Sequence, residues 1–189
     1  KKTYITFLTG LVIILIIAGS VWWYFSNQEA PLQVFGKIST FELDDVMNEE
    51  TYHSDNEKIK LISFILINCP DSVCPLTMLD FSDLQEQLKK DELFGRDVEL
   101  ITITFDPERD TPEALREYAD YFNVDPTGWK ILRGEEEDIA AVAEELKFFY
   151  SITPDGTGIH ATTMFLLDRE QQIRAYHRMS SGSQAMDKD

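Results

Sequence analysis

The sequence predicts a mixed α/β fold, a central sheet flanked by helices, and three stretches carry that prediction. Leu61–Ile67 is an apolar run broken only by Ser63, too short for a free-standing helix and suited to a strand buried on both faces. Val98–Phe105, VELITITF, is a second such run, rich in β-branched residues. Between them Leu76, Leu79, Phe81, Leu84 and Leu88 recur at helical spacing, and Lys89 and Lys90 suit that helix's C-terminus. Strand, helix and strand in this order imply a right-handed parallel crossover.

A chain of 189 residues has room for one domain and an appendage. The appendage is at the front. Ile5–Phe25 carries no charge, and roughly 20 apolar residues in a helix span a bilayer core. Lys1 and Lys2 precede it and no basic residue follows until Lys37. That asymmetry places the N-terminus in the cytoplasm and everything beyond the helix on the extracytoplasmic side, with Trp22, Trp23 and Tyr24 at the outer interface. A cleaved signal peptide would have a shorter apolar core, and a lipoprotein signal would need cysteine near Ala18–Gly19, where this chain has Ser20. The expected organisation is a single-pass membrane anchor at 1–26, a linker at 27–34, a domain at 35–179 and a disordered polar tail at 180–189.

The formal charge is −17. Such a charge repels nucleic acid and argues against it as a partner; acidity of this kind keeps an exported domain soluble.

Within the domain, residues 35–60 read as a β-hairpin preceding the main sheet, with turn signals at Asp44-Asp45 and Asn48-Glu49. The strand 61–67 and a helix 75–90 follow, with Pro75 at the helix's first position. After the strand 98–105, Thr111 is placed to cap a helix that opens at Pro112 and buries Leu115, Tyr118, Ala119 and Phe122. Trp129–Leu132 is a short strand, and Glu135–Leu146 a helix with Ile139, Val142 and Leu146 inward. Thr153–Ile159 is a loop, and Thr162–Asp168 and Gln172–His177 form a closing antiparallel hairpin. A βαβ unit followed by a ββ unit is the thioredoxin-like arrangement.

The only two cysteines, Cys69 and Cys74, fall between the first buried strand and its helix. A helix N-terminus favours thiolate over thiol. Three uses compete: a structural disulfide, a redox dithiol, or soft metal ligands. Closing so short a loop constrains the unfolded chain little, which argues against a staple. Redox enzymes of this architecture place their dithiol at this junction, usually two residues apart. Two thiolates suit Cu(I), and an added imidazole would let the site hold Cu(II).

Three ordered pieces extend the reading: Asn68-Cys69-Pro70-Asp71 with Cys74-Pro75-Leu76-Thr77, then Thr104 to Pro112 (TFDPERDTP), then His160-Ala161-Thr162 before an apolar strand ending in Leu167-Asp168. On these the chain resembles the Sco family (SCO1/SenC-type proteins), membrane-anchored, thioredoxin-like copper-binding proteins of cytochrome c oxidase assembly. The resemblance runs from about Gly36 to Tyr176. It implies that Cys69, Cys74 and His160 are copper ligands and that cytochrome c oxidase subunit II is the partner. It also implies a function as a copper chaperone for that subunit's binuclear copper site. The alternative is a thiol–disulfide oxidoreductase that uses Cys69 and Cys74 to keep the subunit II cysteines reduced. One feature departs from the family pattern: four residues separate the cysteines where the family has three.

Other residues read as ordinary. His53 belongs to a polar turn, and His177 and Met179 end a strand. Asp106 and Asp110 could stand behind the metal ligands, but the expected role is to cap the helix at Thr111 and pair with Arg109. Glu135, Glu136, Glu137 and Asp138 suit a helix's first turn, and Met47, Met78 and Met164 are packing residues.

Overall fold

A computed structural model describes residues 2–26, 32–69, 73–153 and 158–178. The chain divides into two compact units, Lys1–Leu32 and Gln33–Asp189. The first contains the helix α1 (Lys2–Ser26), which includes the whole of the expected span Ile5–Phe25. Its described side chains are those of Gly10 and Ile13–Tyr24, and among the described residues no helix is long and apolar enough to cross a membrane. The expected tail at 180–189 lies outside the described residues.

The second unit runs β1 (Gly36–Lys37), β2 (Glu42–Asp45), β3 (Glu50–His53), β4 (Ile59–Ile65), α2 (Val73–Lys90), β5 (Val98–Thr104), α3 (Pro112–Tyr121), β6 (Trp129–Arg133), α4 (Glu136–Leu146), β7 (Tyr150–Ile152), β8 (Gly158–His160), β9 (Thr163–Leu167) and β10 (Gln172–Arg178). Eight strands form one sheet in the order β1-β10-β9-β4-β5-β6-β2-β3, and β7 and β8 form a second, two-stranded sheet. The predicted parallel crossover is present: β4 pairs with β5 from Ile59↔Val98 to Ile65↔Thr104, and β5 pairs in parallel with β6. The predicted hairpin β2–β3 also forms, but it joins the main sheet through β6 rather than standing before it. The closing hairpin β9–β10 is antiparallel as predicted.

The strand β4 is apolar on both faces because both are covered. On one face α2 packs, with Met78 Sδ 3.9 Å from Thr102 Oγ1 and Phe81 5.6 Å from Trp129. On the other, Phe148 beyond α4 stacks on Phe64 at 4.2 Å and meets Phe105 and Phe165. Each such ring pair adds about 0.5–1.5 kcal/mol beyond its area burial. This aromatic layer forms the floor under the histidine described below.

The apolar run hides one polar surprise. β4 begins at Ile59, and the fully buried Lys60 lies inside it. Its ammonium donates to the Lys58 carbonyl at 2.8 Å, and burial lowers its pKa. Neighbouring Glu99 is equally enclosed and accepts from Tyr52, Asn56 and Lys58 at 3.0, 2.7 and 2.7 Å. Buried charges persist only where they are paired in this way. This cluster occupies the start of the strands, whereas the cysteines follow the end of β4.

Candidate metal centre

The centre is built where β4 stops. Phe105 N–H donates to the Ile65 carbonyl at 3.0 Å. Ile67 N–H turns away to the Asp110 carboxylate, at 3.3 and 3.4 Å. Ile67 and Asn68 form a turn, and half-buried Cys69 follows. Residues 70–72, which contain most of the spacing between the cysteines, lie outside the described residues.

The helix starts earlier than the sequence suggested. It opens at Val73, so Cys74 sits in its first turn and Pro75 is its third residue, not its first. Proline is tolerated there because the first four N–H groups of a helix lack partners within it. Cys74 N–H, one of those four, donates to Cys69 Sγ at 3.4 Å. A backbone donor at a helix N-terminus stabilises negative charge on that sulfur. Cys74 itself is 1% exposed.

The third group arrives on an element missing from the sequence reading. Thr153–Ile159 was expected to be a loop, yet Gly158–His160 is a strand paired with Tyr150–Ile152, with Tyr150 opposite His160. Short strands of this kind lack enough alternating residues to register as a pattern. Space is tight here: a Cβ at Gly158 would come within 2.9 Å of Leu66 and 3.3 Å of Phe105. The His160 ring lies against Phe105, centroids 5.2 Å apart. Its Nδ1–H donates to the Ala161 carbonyl at 3.0 Å, which leaves the Nε2 lone pair as the outward donor. Nε2 stands 3.9 Å from Cys69 Sγ and 3.8 Å from Cys74 Sγ.

All three donor atoms lie within 4.8 Å of one another. An ion held by bonds of about 2.3 Å to sulfur and 2.0 Å to nitrogen, in trigonal geometry, would set sulfur and nitrogen about 3.7 Å apart. The observed separations fit. Two thiolates and one neutral imidazole form a soft, borderline donor set suited to copper or zinc. The fourth residue between the cysteines has not kept them from sharing a third donor.

Two further groups border the centre; the sequence offered this setting for Asp110 only as the weaker alternative to capping, and for Tyr118 not at all. Asp106 does pair with Arg109, at 3.1 Å, as expected. Asp110 does not act as a cap: Thr111 caps α3 with its own hydroxyl, accepting from Ala114 N–H. Asp110 is instead buried, accepting from Ile67 N–H and from the Thr104 hydroxyl at 2.5 Å. Burial pushes its pKa up to about 6. Tyr118 brings a buried hydroxyl with no hydrogen-bond partner among the described residues; burial raises its pKa, and the negative charges of Cys74 and Cys69 raise it further. The self-sufficient cap at Thr111 was the available sign that Asp110 had other work. Tyr118 gave no sign beyond its place in an apolar stripe.

The remaining candidates behave as ordinary residues. His53 is exposed and pairs with Glu42 at 3.1 Å. His177 is exposed on β10, and Met179 lies outside the described residues. Glu136, Glu137 and Asp138 form the acidic first turn of α4, with Glu135 at its N-cap. Met78 and Met164 are buried and Met47 is packed against the core.

A thioredoxin-like sheet that closes a dithiol and an imidazole around one point defines a class of proteins that bind a soft metal or exchange electrons through a cysteine pair. Comparison with known proteins agrees. The SCO1/SenC family profile matches residues 31–189. A SCO2-like protein of Rickettsia conorii is 32% identical over 154 residues, covering 77% of this chain and 71% of its own. The crystal structure of a SCO1/SenC family lipoprotein from Bacillus anthracis superimposes with a TM-score of 0.72 at 23% identity, covering 82% of this chain and 92% of that one. The structure of Bradyrhizobium japonicum ScoI with copper bound gives a TM-score of 0.64 at 28% identity, over 75% of this chain and 88% of that one. The chain belongs to the SCO1/SenC family.

Proposed function

We propose that this chain is a membrane-tethered copper chaperone on the extracytoplasmic side, delivering copper to the binuclear site of cytochrome c oxidase subunit II. One observation carries the reading: Cys69, Cys74 and His160 converge from a loop, a helix and a separate small sheet onto one point. Copper bound to a relative 28% identical to this chain supports copper over zinc. When bound, copper supplies the cargo and a Cu(I)/Cu(II) couple. The residues do the rest. Cys69 and Cys74 must be thiolates to bind, so their redox state gates loading. The Ala161 carbonyl holds the His160 ring with Nε2 presented.

The apolar run Ile5–Phe25 and the two lysines before it support the tether and its orientation.

The test is direct. The reduced full chain in detergent should bind one equivalent of copper, and the Cu(II) form should show an intense sulfur-to-copper charge-transfer band. Deleting the gene should lower oxidase activity at low copper, with recovery on added copper; normal activity in the deletion would remove this partner. A reporter active only outside the cytoplasm, fused to the C-terminus, should give signal while the protein stays in the membrane fraction at high salt.

The unequal settings of the two thiols favour a second reading, a reductase acting on a subunit II disulfide. The Cys69 thiolate would attack one sulfur of that disulfide, forming a mixed disulfide as the substrate S–S bond breaks and its other sulfur leaves as a thiolate. The Cys74 thiolate would then attack Cys69 Sγ, freeing the second substrate sulfur as a thiolate and leaving a Cys69–Cys74 disulfide for an external dithiol to reduce. A reduced chain that binds no copper yet reduces a subunit II peptide disulfide would replace the first reading with this one.

A further inference from the structure

Taking Cys69, Cys74 and His160 as copper ligands, as proposed above, we infer that Asp110 is a positioning residue that sets where β4 ends and so where Cys69 stands. β4 and β5 pair in parallel up to Ile65↔Thr104, and Phe105 N–H still donates to the Ile65 carbonyl. The next rung of such a ladder would carry Ile67 N–H to the Phe105 carbonyl. The Asp110 carboxylate accepts that N–H instead, with its two oxygens 3.4 and 3.3 Å away. The strand stops there, and the turn at Ile67 and Asn68 delivers Cys69 two residues later.

Asp110 can do this because it is itself fixed. Its Oδ2 accepts from the Thr104 hydroxyl at 2.5 Å, and that hydroxyl accepts from Asp106 N–H at 3.1 Å. Its own N–H donates to the Asp106 carbonyl at 2.9 Å. It is 3% exposed, and a carboxylate so enclosed is costly wherever its hydrogen bonds do not need it. The side chain therefore spans the end of β5, the turn before α3 and the last donor before the cysteines. Partners that orient metal ligands without touching the metal typically matter about 10–100-fold in affinity.

The test compares Asp110→Ala and Asp110→Asn in the full chain in detergent. Asparagine keeps an acceptor for Ile67 N–H; alanine removes it. The copper-free readout is the Cys69–Cys74 disulfide equilibrium against glutathione. Asp110→Ala should disfavour the disulfide by about tenfold, because the thiols lose their fixed approach, whereas Asp110→Asn should stay within about threefold of the parent. With copper, Asp110→Ala should bind Cu(II) about 10–100-fold more weakly, with a shifted charge-transfer band, and Cu(I) nearly as before. A folded Asp110→Ala chain with the parent's glutathione equilibrium would overturn the inference, as would Asp110→Asn shifting as far as alanine. If the parent binds no copper while Asp110→Ala still moves the disulfide equilibrium, the copper reading fails and the positioning role stands. Should Asp110→Ala not fold, Thr104→Val, which frees one carboxylate oxygen, should shift the same equilibrium about threefold in the same direction; an unshifted value would overturn the role.

Discussion

The backbone N–H of Cys74 lies 3.4 Å from the sulfur of Cys69, so the residue that supplies one thiol also stabilises charge on the other. The two thiols are consequently unequal. Cys69 is half-buried and receives the helix's donor; Cys74 is enclosed within the first turn.

In the reduced, folded chain Cys69 should react with iodoacetamide at least about tenfold faster than Cys74. Peptide mass spectrometry of timed samples measures both rates at once. Faster labelling at Cys74 would mean that exposure and the helix N-terminus do not set their order.

His160→Ala should keep most Cu(I) binding, because two thiolates satisfy that ion, and lose Cu(II) binding with a shifted spectrum. The fold should survive: the ring is half-buried at the end of β8 and rests against Phe105 without supporting the main sheet. Titration by optical spectroscopy, with circular dichroism as control, checks both halves. An unchanged Cu(II) spectrum would remove His160 from the ligand set.

Stability should depend on pH through Asp110. Burial raises its pKa to about 6 from the unfolded value of 3.8, against the opposing bonds from Thr104 and Ile67. Between those values the folded chain retains a proton that the unfolded chain has released. The group's contribution is thus full below about pH 4 and is lost as pH rises through about 6, on the order of 3 kcal/mol. Asp125 has the opposite sign: burial raises its pKa, but the bonds from Thr127 and Lys89 outweigh it and hold the carboxyl at about 2. Its contribution is present above about pH 4 and is lost as pH falls through about 2. Urea unfolding of the metal-free chain between pH 4 and 7 should show the Asp110 loss in the parent and a flatter profile in Asp110→Asn. Parallel profiles would assign the slope to other groups.

Gly158→Ala should weaken both stability and the centre. The added methyl would meet Leu66 at 2.9 Å and Phe105 at 3.3 Å, and crowding of this kind costs about 1–3 kcal/mol. Relief by displacing β8 would carry His160 away from the thiols, lowering Cu(II) affinity. Thermal unfolding and copper titration of the variant separate the two effects; a variant normal in both would mean that Leu66 yields and β8 stays.

Much of this was legible in the sequence, and the limits have physical causes. Long apolar runs such as Leu61–Ile67 and Val98–Phe105 announce buried strands because burial on two faces demands them. Thr111 and Pro112 mark a helix start by local chemistry alone, and that start is where the structure has it. The three candidate donors, Cys69, Cys74 and His160, were readable because each stands in a string that carries the family resemblance. What escaped were features created by tertiary contact. β7 and β8 are too short to show a period, Lys60 is admitted to the core only by the carbonyl and carboxylate around it, and Asp110 acts on a chain segment 43 residues away. The early start of α2 escaped because proline is tolerated within a helix's first turn as well as at its first position, so Pro75 alone does not fix the boundary.

His160 follows Cys69 by 91 residues and Cys74 by 86. An ion bonded to all three therefore acts as a removable cross-link between distant parts of the polypeptide. Closing a loop of about 90 residues in an unfolded chain restricts it by about 4.6 kcal/mol of chain entropy at 25 °C. Under the proposed chaperone function a loaded domain would thereby be harder to unfold than an empty one, and handing the ion to an acceptor would surrender that reinforcement. The empty, softer domain left behind would then be the form more exposed to proteolysis, and each proposed delivery would leave its carrier vulnerable until it is filled again.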